Sequence, residues 1–448
     1  MFRTVEMPLW LLTLIVLFAA VTFASHFLFP SVRWFFRRRM ERVVARLNQR
    51  LERPIQPFKL ARRHDMIQRL IYDPKVVQAV ADHARHEGVP ENVAFEEAKR
   101  YAREIVPSFS ATAYFSVAIR LARWLARALY TVHLDESNDA ALRAIDGDAT
   151  VIFVMNHRSN MDYVLVTYLV ADRSALSYAV GEWARVWPLS ALIRAMGAFF
   201  IRRTSRNTLY RRVLARYVQL ATRGGVTQAI FPEGGLSLDG SMGPAKLGLL
   251  SYIVADFEPG TGADVVFVPV ALNYDRVLED RVLTDAAKSG TRRFRASVLG
   301  WAWFTIRYAW RRMTGRAVRF GHAGVGFGAP LSLNEFVAAH KGEAITGAGE
   351  ELRRRVMAVI PVLPVPMVAW LLLRHGGTAT RAALAKEAVP YLQRISHPAM
   401  NDPAKVVDDG LASLLARRIV REGPDGVHAE PDSAELLTYY ANSVTHLF

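Results

Sequence analysis

The sequence contains no cysteine among its 448 residues. That absence excludes disulfide bonds, thiolate metal sites and a cysteine nucleophile. Acidic residues are scarce beside basic ones, with 41 Asp and Glu against 57 Lys and Arg, so the net charge is +16. A charge of this sign attracts polyanions, and the candidates are nucleic acid, an anionic membrane surface and phosphorylated substrates. Apolar residues make up 51% of the chain, a share typical of folded rather than disordered proteins.

Charge is missing altogether from residues 8–29, which contain no Asp, Glu, Lys or Arg. As a helix this segment would span roughly 33 Å, about one hydrocarbon core. Six arginines follow it closely: Arg33, Arg37, Arg38, Arg39, Arg42 and Arg46. The pattern predicts an uncleaved, single-pass anchor in the cell membrane, with the rest of the chain on the cytoplasmic side. A cleaved signal peptide and a buried core helix are the alternatives, and the dense arginines oppose the signal peptide.

The rest of the chain divides into three regions. Residues 31–140 are rich in Arg, Ala and Leu, which predicts helices, and residues 336–448 return to a helical pattern. Residues 141–335 alternate short apolar runs with helical or Gly-rich stretches, as expected for an α/β domain with a mostly parallel sheet flanked by helices. The predicted strands are Thr150–Met155, Ser177–Val180, Ala198–Ile201, Thr227–Phe231, Val265–Leu272 and Val318–Gly328.

Two segments have an unusual composition. Trp301–Arg312 mixes Trp and Tyr with Arg, which fits a helix at a lipid interface and equally a core helix with an exposed arginine edge. Val356–Leu373 is apolar but carries Pro361, Pro364 and Pro366. Because each proline removes a backbone donor, a continuous spanning helix is not expected there. A buried or membrane-facing loop is predicted instead.

A polar cluster, Asn156 to Asp162, directly follows the first predicted strand, where α/β folds place their active loops. On one regular helix His157 and Asp162 would point about 140° apart, but in a loop turning into a helix the carboxylate reaches the imidazole. Such a pair acts as an oriented general base. A hydrogen-bonded loop histidine is the alternative. The same spacing recurs at His397 and Asp402 without a preceding strand, and we interpret that pair as chance.

Four further stretches contain residues that are candidates for a chemical role. Gly197–Arg203 ends in two arginines, whose planar guanidinium groups suit phosphate, although two solvated arginines are as plausible. Phe231–Ser237 is a strand end turning into a Gly-rich loop with one carboxylate, Glu233. Its glycines allow close approach of a ligand but also occur in plain turns. Lys246 follows, and a lone lysine is usually a surface charge. Val268–Val270 encloses a proline in an apolar strand, which usually marks an edge or a bulge.

In this order and spacing, the stretches resemble the four sequence blocks of the glycerolipid acyltransferase family. His157 and Asp162 match its HxxxxD motif, and His-Arg-Ser-x-Met-Asp-Tyr is most similar to the glycerol-3-phosphate and dihydroxyacetone-phosphate branch. The C-terminal segment Leu437–Ser443 also resembles the larger glycerol-3-phosphate enzymes. The resemblance covers roughly residues 140–448. The other three blocks are matched by Gly197–Arg203, Phe231–Gly235 and Val268–Val270.

The resemblance implies that His157 is the general base and Asp162 its partner. It also implies the residues that bind the acceptor and its phosphate: Arg158, Ser159, Arg202, Arg203, Glu233, Gly234 and Lys246. One departure is Leu236, where the third block often has an arginine. This departure weakens the assignment of the acceptor rather than that of acyl transfer.

The implied reaction transfers a fatty acyl group from acyl-CoA or acyl-carrier protein to a hydroxyl of glycerol-3-phosphate, in phospholipid biosynthesis. It needs no metal and no bound cofactor, and its partners are the acceptor, the acyl thioester and membrane lipid rather than nucleic acid. An acceptor of the 1-acylglycerol-3-phosphate type is the nearest alternative. A non-catalytic, basic, membrane-anchored lipid-binding protein is a further one, but it leaves the four ordered blocks unexplained.

Overall fold

The computed structural model describes residues 8–135, 137–170, 174–181, 185, 189–202, 205, 207–290, 310, 319–340, 344–393 and 402–448. Arg203, His397 and all of the segment 301–312 except Trp310 lie outside these residues, so the predictions made for them stay predictions. The chain divides into two units, one ending at Ile55 and the other running from Gln56 to Phe448.

The first unit is built on one long helix, α1 (Leu9–Asn48). The helix continues through the predicted anchor and the arginine cluster behind it. Asn48 closes the following turn, since its side-chain oxygen accepts the backbone N–H of Ile55 at 2.9 Å. Within the described residues, no helix combines the length and the apolar character needed to cross a bilayer. The transmembrane anchor at 8–29 is therefore a prediction that the structure leaves without support.

The second unit contains, among the residues described, an eight-stranded sheet with the order β1-β7-β6-β2-β5-β3-β4 and with β8 beside β6. Its strands are β1 (Thr131–Asp135), β2 (Thr150–Met155), β3 (Ser177–Val180), β4 (Phe199–Phe200), β5 (Gln228–Ile230), β6 (Val265–Tyr274), β7 (His322–Phe327) and β8 (Leu331–Ser332). Neighbours from β6 to β4 run parallel, as do β1 and β7, while β7 and β8 are antiparallel to β6. The predicted α/β class, with a mostly parallel sheet flanked by helices, is confirmed.

Two strands show how the sequence sets the sheet. All six residues of β2 are buried, which explains its unbroken apolar run, because a central parallel strand is covered on both faces. Pro269 lies inside β6, between the residues that pair with β8 and those that pair with β7. The missing N–H therefore falls where the neighbouring strand changes. The expected edge or bulge is instead a change of partner inside a central strand.

The helices before the sheet are α2 (Pro57–Leu60), α3 (Arg63–Ile71), α4 (Pro74–Glu87), α5 (Glu91–Ile105), a π-helical turn (Ala113–Ala118) and α6 (Ile119–Leu129). Those between and after the strands are α7 (Asp139–Arg143), α8 (Met161–Leu169), α9 (Leu189–Ala195), α10 (Thr208–Arg223), α11 (Gly248–Val254), α12 (Asp280–Ser289), α13 (Leu333–Ala339) and α14 (Ala344–Ala358). Helices α3, α4, α5, α10 and α11 pack on one face of the sheet, and α6 and α8 pack on the other. The region predicted to be helical, 31–140, thus also holds β1, a five-residue strand too short to give a periodic signal.

The C-terminal region is mixed rather than purely helical. It contains the helices α15 (Pro364–Arg374), α16 (Arg381–Leu392), α17 (Pro403–Ala416) and α18 (Ala434–Asn442), and a small antiparallel sheet of β9 (Thr378–Ala379), β10 (Val420–Gly423) and β11 (Gly426–Ala429). The loop predicted across the proline run is only partly present, because α15 starts at Pro364 and is buried through Leu372. Pro364 and Pro366 sit in its first turn, where a helix has no use for their missing N–H groups.

Candidate active site

The carboxyl end of β2 runs through a short polar loop into α8. Nδ1 of His157, in the loop, lies 2.8 Å from Oδ2 of Asp162, and both side chains are almost completely shielded from solvent. Asp162 is the second residue of α8, so its carboxylate reaches back over the loop to the imidazole. The five-residue spacing works because a loop and a helix start, rather than one helix, separate the two residues.

Asp162 is held by four donors. Besides the imidazole, its Oδ2 accepts the backbone N–H groups of Arg158 at 2.8 Å and Ser159 at 3.0 Å. Its Oδ1 accepts the hydroxyl of Tyr274 at 2.6 Å. Burial, together with the nearby Asp162 charge, holds the pKa of Tyr274 well above its usual range, so this hydroxyl stays a donor. Four hydrogen bonds compensate the cost of a fully buried carboxylate.

The loop from Phe231 to Ser237 fixes the backbone and ring of His157. The His157 N–H donates to Oε1 of Glu233 at 2.8 Å, while Oε2 of Glu233 accepts the N–H of Gly243 at 3.1 Å. The Ser237 N–H donates to the His157 carbonyl at 2.9 Å, and the imidazole stacks on Phe231 with ring centroids 4.1 Å apart. Burial raises the pKa of Glu233 to about 7, and its two backbone hydrogen bonds limit the rise. Glu233 is therefore a buried residue that positions the His157 loop.

Arg158 links the loop to the C-terminal helix. Its side chain is buried, its Nη1 donates to the carbonyl of Gly240, and its guanidinium lies over the ring of Tyr439 in α18, 4.8 Å from the centroid. Among the residues that the structure describes, Nε and Nη2 of Arg158 find no hydrogen-bond partner. A buried guanidinium with two unused donors is costly in an apolar setting, so its placement points to a role in the site.

Two family models match the chain in succession. The family described as Acyltransferase matches residues 130–273, and the one described as Glycerol-3-phosphate acyltransferase C-terminal region matches residues 311–448. Together they enclose the His157–Asp162 pair and the Tyr439 helix. The chain is therefore similar to glycerolipid acyltransferases in two successive regions.

Curated relatives of this family align along most of the chain. The glycerol-3-phosphate acyltransferase of Pseudomonas fluorescens (strain SBW25) is 29% identical in an alignment of 422 residues that covers 87% of this chain and 48% of that protein. The protein of the same name from Xanthomonas campestris pv. campestris is 27% identical in an alignment of 444 residues that covers 92% of this chain and 48% of that protein. The chain spans about half the length of the curated relatives it matches.

A solved structure that also aligns with this chain is the 1-acyl-sn-glycerophosphate (LPA) acyltransferase PlsC from Thermotoga maritima, at 18% identity and a TM-score of 0.31, covering 65% of this chain and 98% of its own.

Arg202, at the end of β4, stands apart from the His157 loop. Its Nε and Nη2 both donate to the carboxylate of Glu104, at 2.8 and 2.6 Å, and this hydrogen bonding raises its pKa. Three strand spacings separate β4 from β2, which is about 14 Å. Glu104 also pairs with Arg185, so Arg202 takes part in a cluster of ion pairs at the sheet edge.

Gly234 and Lys246 lie together at the end of β5. Gly234 has a φ of +64°, and a Cβ placed on it would lie 3.2 Å from Cδ of Lys246 and 3.8 Å from its Nζ. The Lys246 N–H donates to the carbonyl of Pro232 at 2.7 Å, while the side chain is exposed. Leu236, where the family often has arginine, packs against the main core. An ammonium group thus stands beside the glycine turn next to His157.

Two residues of the site were missed from the sequence, Tyr274 and Glu279. Glu279 accepts the Ser159 hydroxyl at 2.8 Å and the Asn160 side-chain amide at 2.9 Å, and burial raises its pKa. Neither residue belongs to a motif. Only the position of Tyr274 as the last residue of an apolar strand could have drawn attention to it.

The arrangement is that of a general base. With Nδ1–H donating to Asp162, the imidazole is held in the tautomer whose Nε2 carries the lone pair. Within the described residues, no group of three or more His, Asp or Glu side chains is placed to hold a metal ion. The expectation that no metal or bound cofactor takes part stays a prediction.

Proposed function

We propose that this chain transfers a fatty acyl group from a thioester donor to a hydroxyl of glycerol-3-phosphate. The observation that carries the proposal is the 2.8 Å contact between His157 Nδ1 and Asp162 Oδ2 at the carboxyl end of β2. The two family matches support the reaction class, and the name shared by the two curated relatives supports the acceptor.

The proposed reaction begins at Nε2 of His157. This nitrogen takes the proton of the acceptor hydroxyl as its oxygen attacks the thioester carbonyl. A tetrahedral intermediate forms, then the carbon–sulfur bond breaks and the departing thiolate takes the proton back from the imidazolium. Asp162 stabilises the imidazolium in between. The donor is acyl-CoA or acyl-carrier protein.

We further propose that cationic groups at this edge of the sheet hold the acceptor phosphate. Lys246 is the exposed cation beside Gly234, and the resemblance adds Arg158, Arg202 and Arg203. A phosphate accepts charge-assisted hydrogen bonds from lysine and arginine, which are about twice as strong as neutral ones. Ser159 and Glu233 would act by shaping the loop, because their side chains are bonded within the protein.

Association with the cell membrane is part of the proposal. The uncharged run 8–29 and the six arginines after it support an N-terminal anchor with the catalytic unit on the cytoplasmic side. The product of the reaction is a lipid that must enter a bilayer, and an anchored enzyme would release it there.

The test is an acyl-transfer assay on membranes containing the full chain. Acyl-CoA or acyl-carrier protein is offered with glycerol-3-phosphate or with 1-acylglycerol-3-phosphate. We expect transfer to glycerol-3-phosphate, and a loss of about 10²–10⁴-fold in His157→Ala and Asp162→Asn. Transfer only to the lyso-lipid would move the chain to the second acylation. Full activity in His157→Ala would overturn the base assignment.

A further inference from the structure

Helix α6 and the π-helical turn before it expose a stripe of large apolar side chains. Val117, Leu121 and Trp124 have 55%, 50% and 43% of their surface exposed. They are spaced four and three residues apart, which places them side by side on the helix. Single exposed apolar residues are ordinary, but a contiguous stripe marks an interaction site.

The opposite side of α6 is already in use. Ala122, Ala126 and Leu129 are buried. Ala126 and Leu129 belong to the main core, and α6 packs along α8, the helix that carries Asp162. The fold is therefore complete without the stripe. Whatever covers Val117, Leu121 and Trp124 comes from outside this packing.

Arginines follow one edge of the stripe, at positions 120, 123 and 127. All three are exposed. The guanidinium groups of Arg123 and Arg127 lie 5.5 Å from the ring centroid of Tyr168 on α8, and Arg127 Nη2 donates to the Tyr168 hydroxyl at 3.0 Å. No Asp or Glu occurs between Glu104 and Asp135. Every charged side chain that this stretch of the chain contributes is therefore basic.

We propose that this stripe and its arginines form a surface that lies on an anionic lipid bilayer. An apolar row inserts at the boundary of headgroups and acyl chains, tryptophan is favoured at that depth, and arginines beside it meet lipid phosphates. A nucleic acid would match the arginines but not Leu121 and Val117. The bilayer is the partner that fits both parts, and the residues of this surface belong to a different part of the sequence from the uncharged run 8–29.

The surface is connected to the catalytic pair by direct contacts. Tyr130, the residue after α6, packs its ring on Tyr274 with centroids 5.4 Å apart, and the Tyr274 hydroxyl bonds Asp162. A bilayer under α6 therefore lies close to the place where an acyl chain would be transferred. The surface itself does not depend on the catalytic assignment.

The absence of cysteine allows a direct test. Leu121→Cys in the full chain carries a single environment-sensitive fluorophore, and Val93→Cys is the matched control. Val93 is 51% exposed and lies on α5, which packs on the opposite face of the sheet. Both proteins are mixed with phosphatidylcholine vesicles in which roughly one lipid in four is phosphatidylglycerol, and with vesicles of phosphatidylcholine alone.

At position 121 we expect brighter, blue-shifted emission with the anionic vesicles, quenching by a nitroxide near the lipid headgroup, and weakening at high salt. Position 93 should not respond. No change at 121 while the protein floats with the vesicles would overturn the proposal, and so would an equal response to neutral vesicles. If the emission at position 121 instead changes with protein concentration in the absence of lipid, the stripe binds a second copy of the chain. The readout requires no catalysis, so it is independent of the acyl-transfer assay.

Discussion

The Tyr274 hydroxyl donates a 2.6 Å hydrogen bond to Oδ1 of Asp162, the carboxylate oxygen that does not face His157. Tyr274, the last residue of β6, thereby hydrogen-bonds the same carboxylate that holds the imidazole of His157. A carboxylate that accepts fewer hydrogen bonds stabilises an adjacent imidazolium more strongly. Tyr274 is therefore a positioning residue that also limits the basicity of His157.

Tyr274→Phe is expected to move the acidic limb of the pH profile of kcat/KM to higher pH. The charge of Asp162 is then shared among fewer donors, so the imidazolium is favoured and His157 needs a higher pH to act as a base. Loss of a hydrogen bond to a charged group also lowers the free energy of unfolding by about 1.5–3 kcal/mol. The pH profile and urea unfolding measure the two effects.

Tyr217→Phe is the matched control for this change. Tyr217 is buried in α10, and the pKa of its hydroxyl is raised by burial alone. Deleting its oxygen should leave the pH profile unshifted. An unshifted profile in Tyr274→Phe as well would show that the hydroxyl only fills space.

Gly240→Ala is expected to disrupt the contact between the 237–243 loop and α18. Gly240 has a φ of +89°, and a Cβ there would overlap the backbone oxygen of Tyr439. Gly88 has a φ of +66° with nothing within 4 Å of an added Cβ, so Gly88→Ala carries only the backbone strain, about 1–2 kcal/mol. Urea unfolding should show a clearly larger loss for Gly240→Ala. Equal losses would mean that the 237–243 loop and α18 can move apart without a further loss of stability.

Lys246→Met is expected to raise KM for the phosphorylated acceptor about tenfold, with little change in kcat. One charge-assisted hydrogen bond is lost, worth about 1.5–3 kcal/mol at most, and the exposed side chain supports no packing. Arg202→Gln should raise KM as well and, unlike Lys246→Met, also lower the urea midpoint, because it breaks two hydrogen bonds to Glu104. An unchanged KM in Arg202→Gln would remove Arg202 from the proposed phosphate site.

Glu233→Gln is expected to flatten the dependence of stability on pH. The Glu233 carboxyl has an ordinary pKa of 4.5 and a pKa of about 7 in the fold. Its raised pKa stabilises the folded state below pH 4.5, and this contribution is lost as the pH rises to 7. The free energy of unfolding should fall by roughly 3 kcal/mol more in the native protein than in the variant. Parallel curves would show that Glu233 is ionised throughout.

The sheet and the catalytic pair could be predicted because their signals are local. Thr150–Met155 and Ser177–Val180 were placed to the residue, since strands buried on both faces need unbroken apolar runs. The HxxxxD spacing marked His157 and Asp162. The positions of Arg158, Glu233 and Gly234 in their blocks were equally readable, although their roles stay predictions.

What escaped the sequence depends on distant partners. Tyr274 bonds Asp162 across 112 positions, and Glu279 bonds Ser159 across 120 positions. A local sequence pattern cannot predict contacts at such separations. The hydrogen bonds between Arg202 and Glu104 could not be predicted either, because 98 positions separate the two residues. β9 to β11 were lost among helices because strands of two to four residues carry almost no periodicity.

The packing of α18 against β6 and Arg158 has a consequence for folding during translation. Asn273, at the end of β6, bonds Ser443, 170 positions later, and Tyr439 supports Arg158 from the same helix. At about 5–20 residues per second, a ribosome needs roughly 10–30 s to cover that interval. During this time β6 and the Arg158 guanidinium have been synthesised, but α18 does not yet cover them. A chaperone that shields the strand until residue 443 has emerged would therefore assist the folding of this chain.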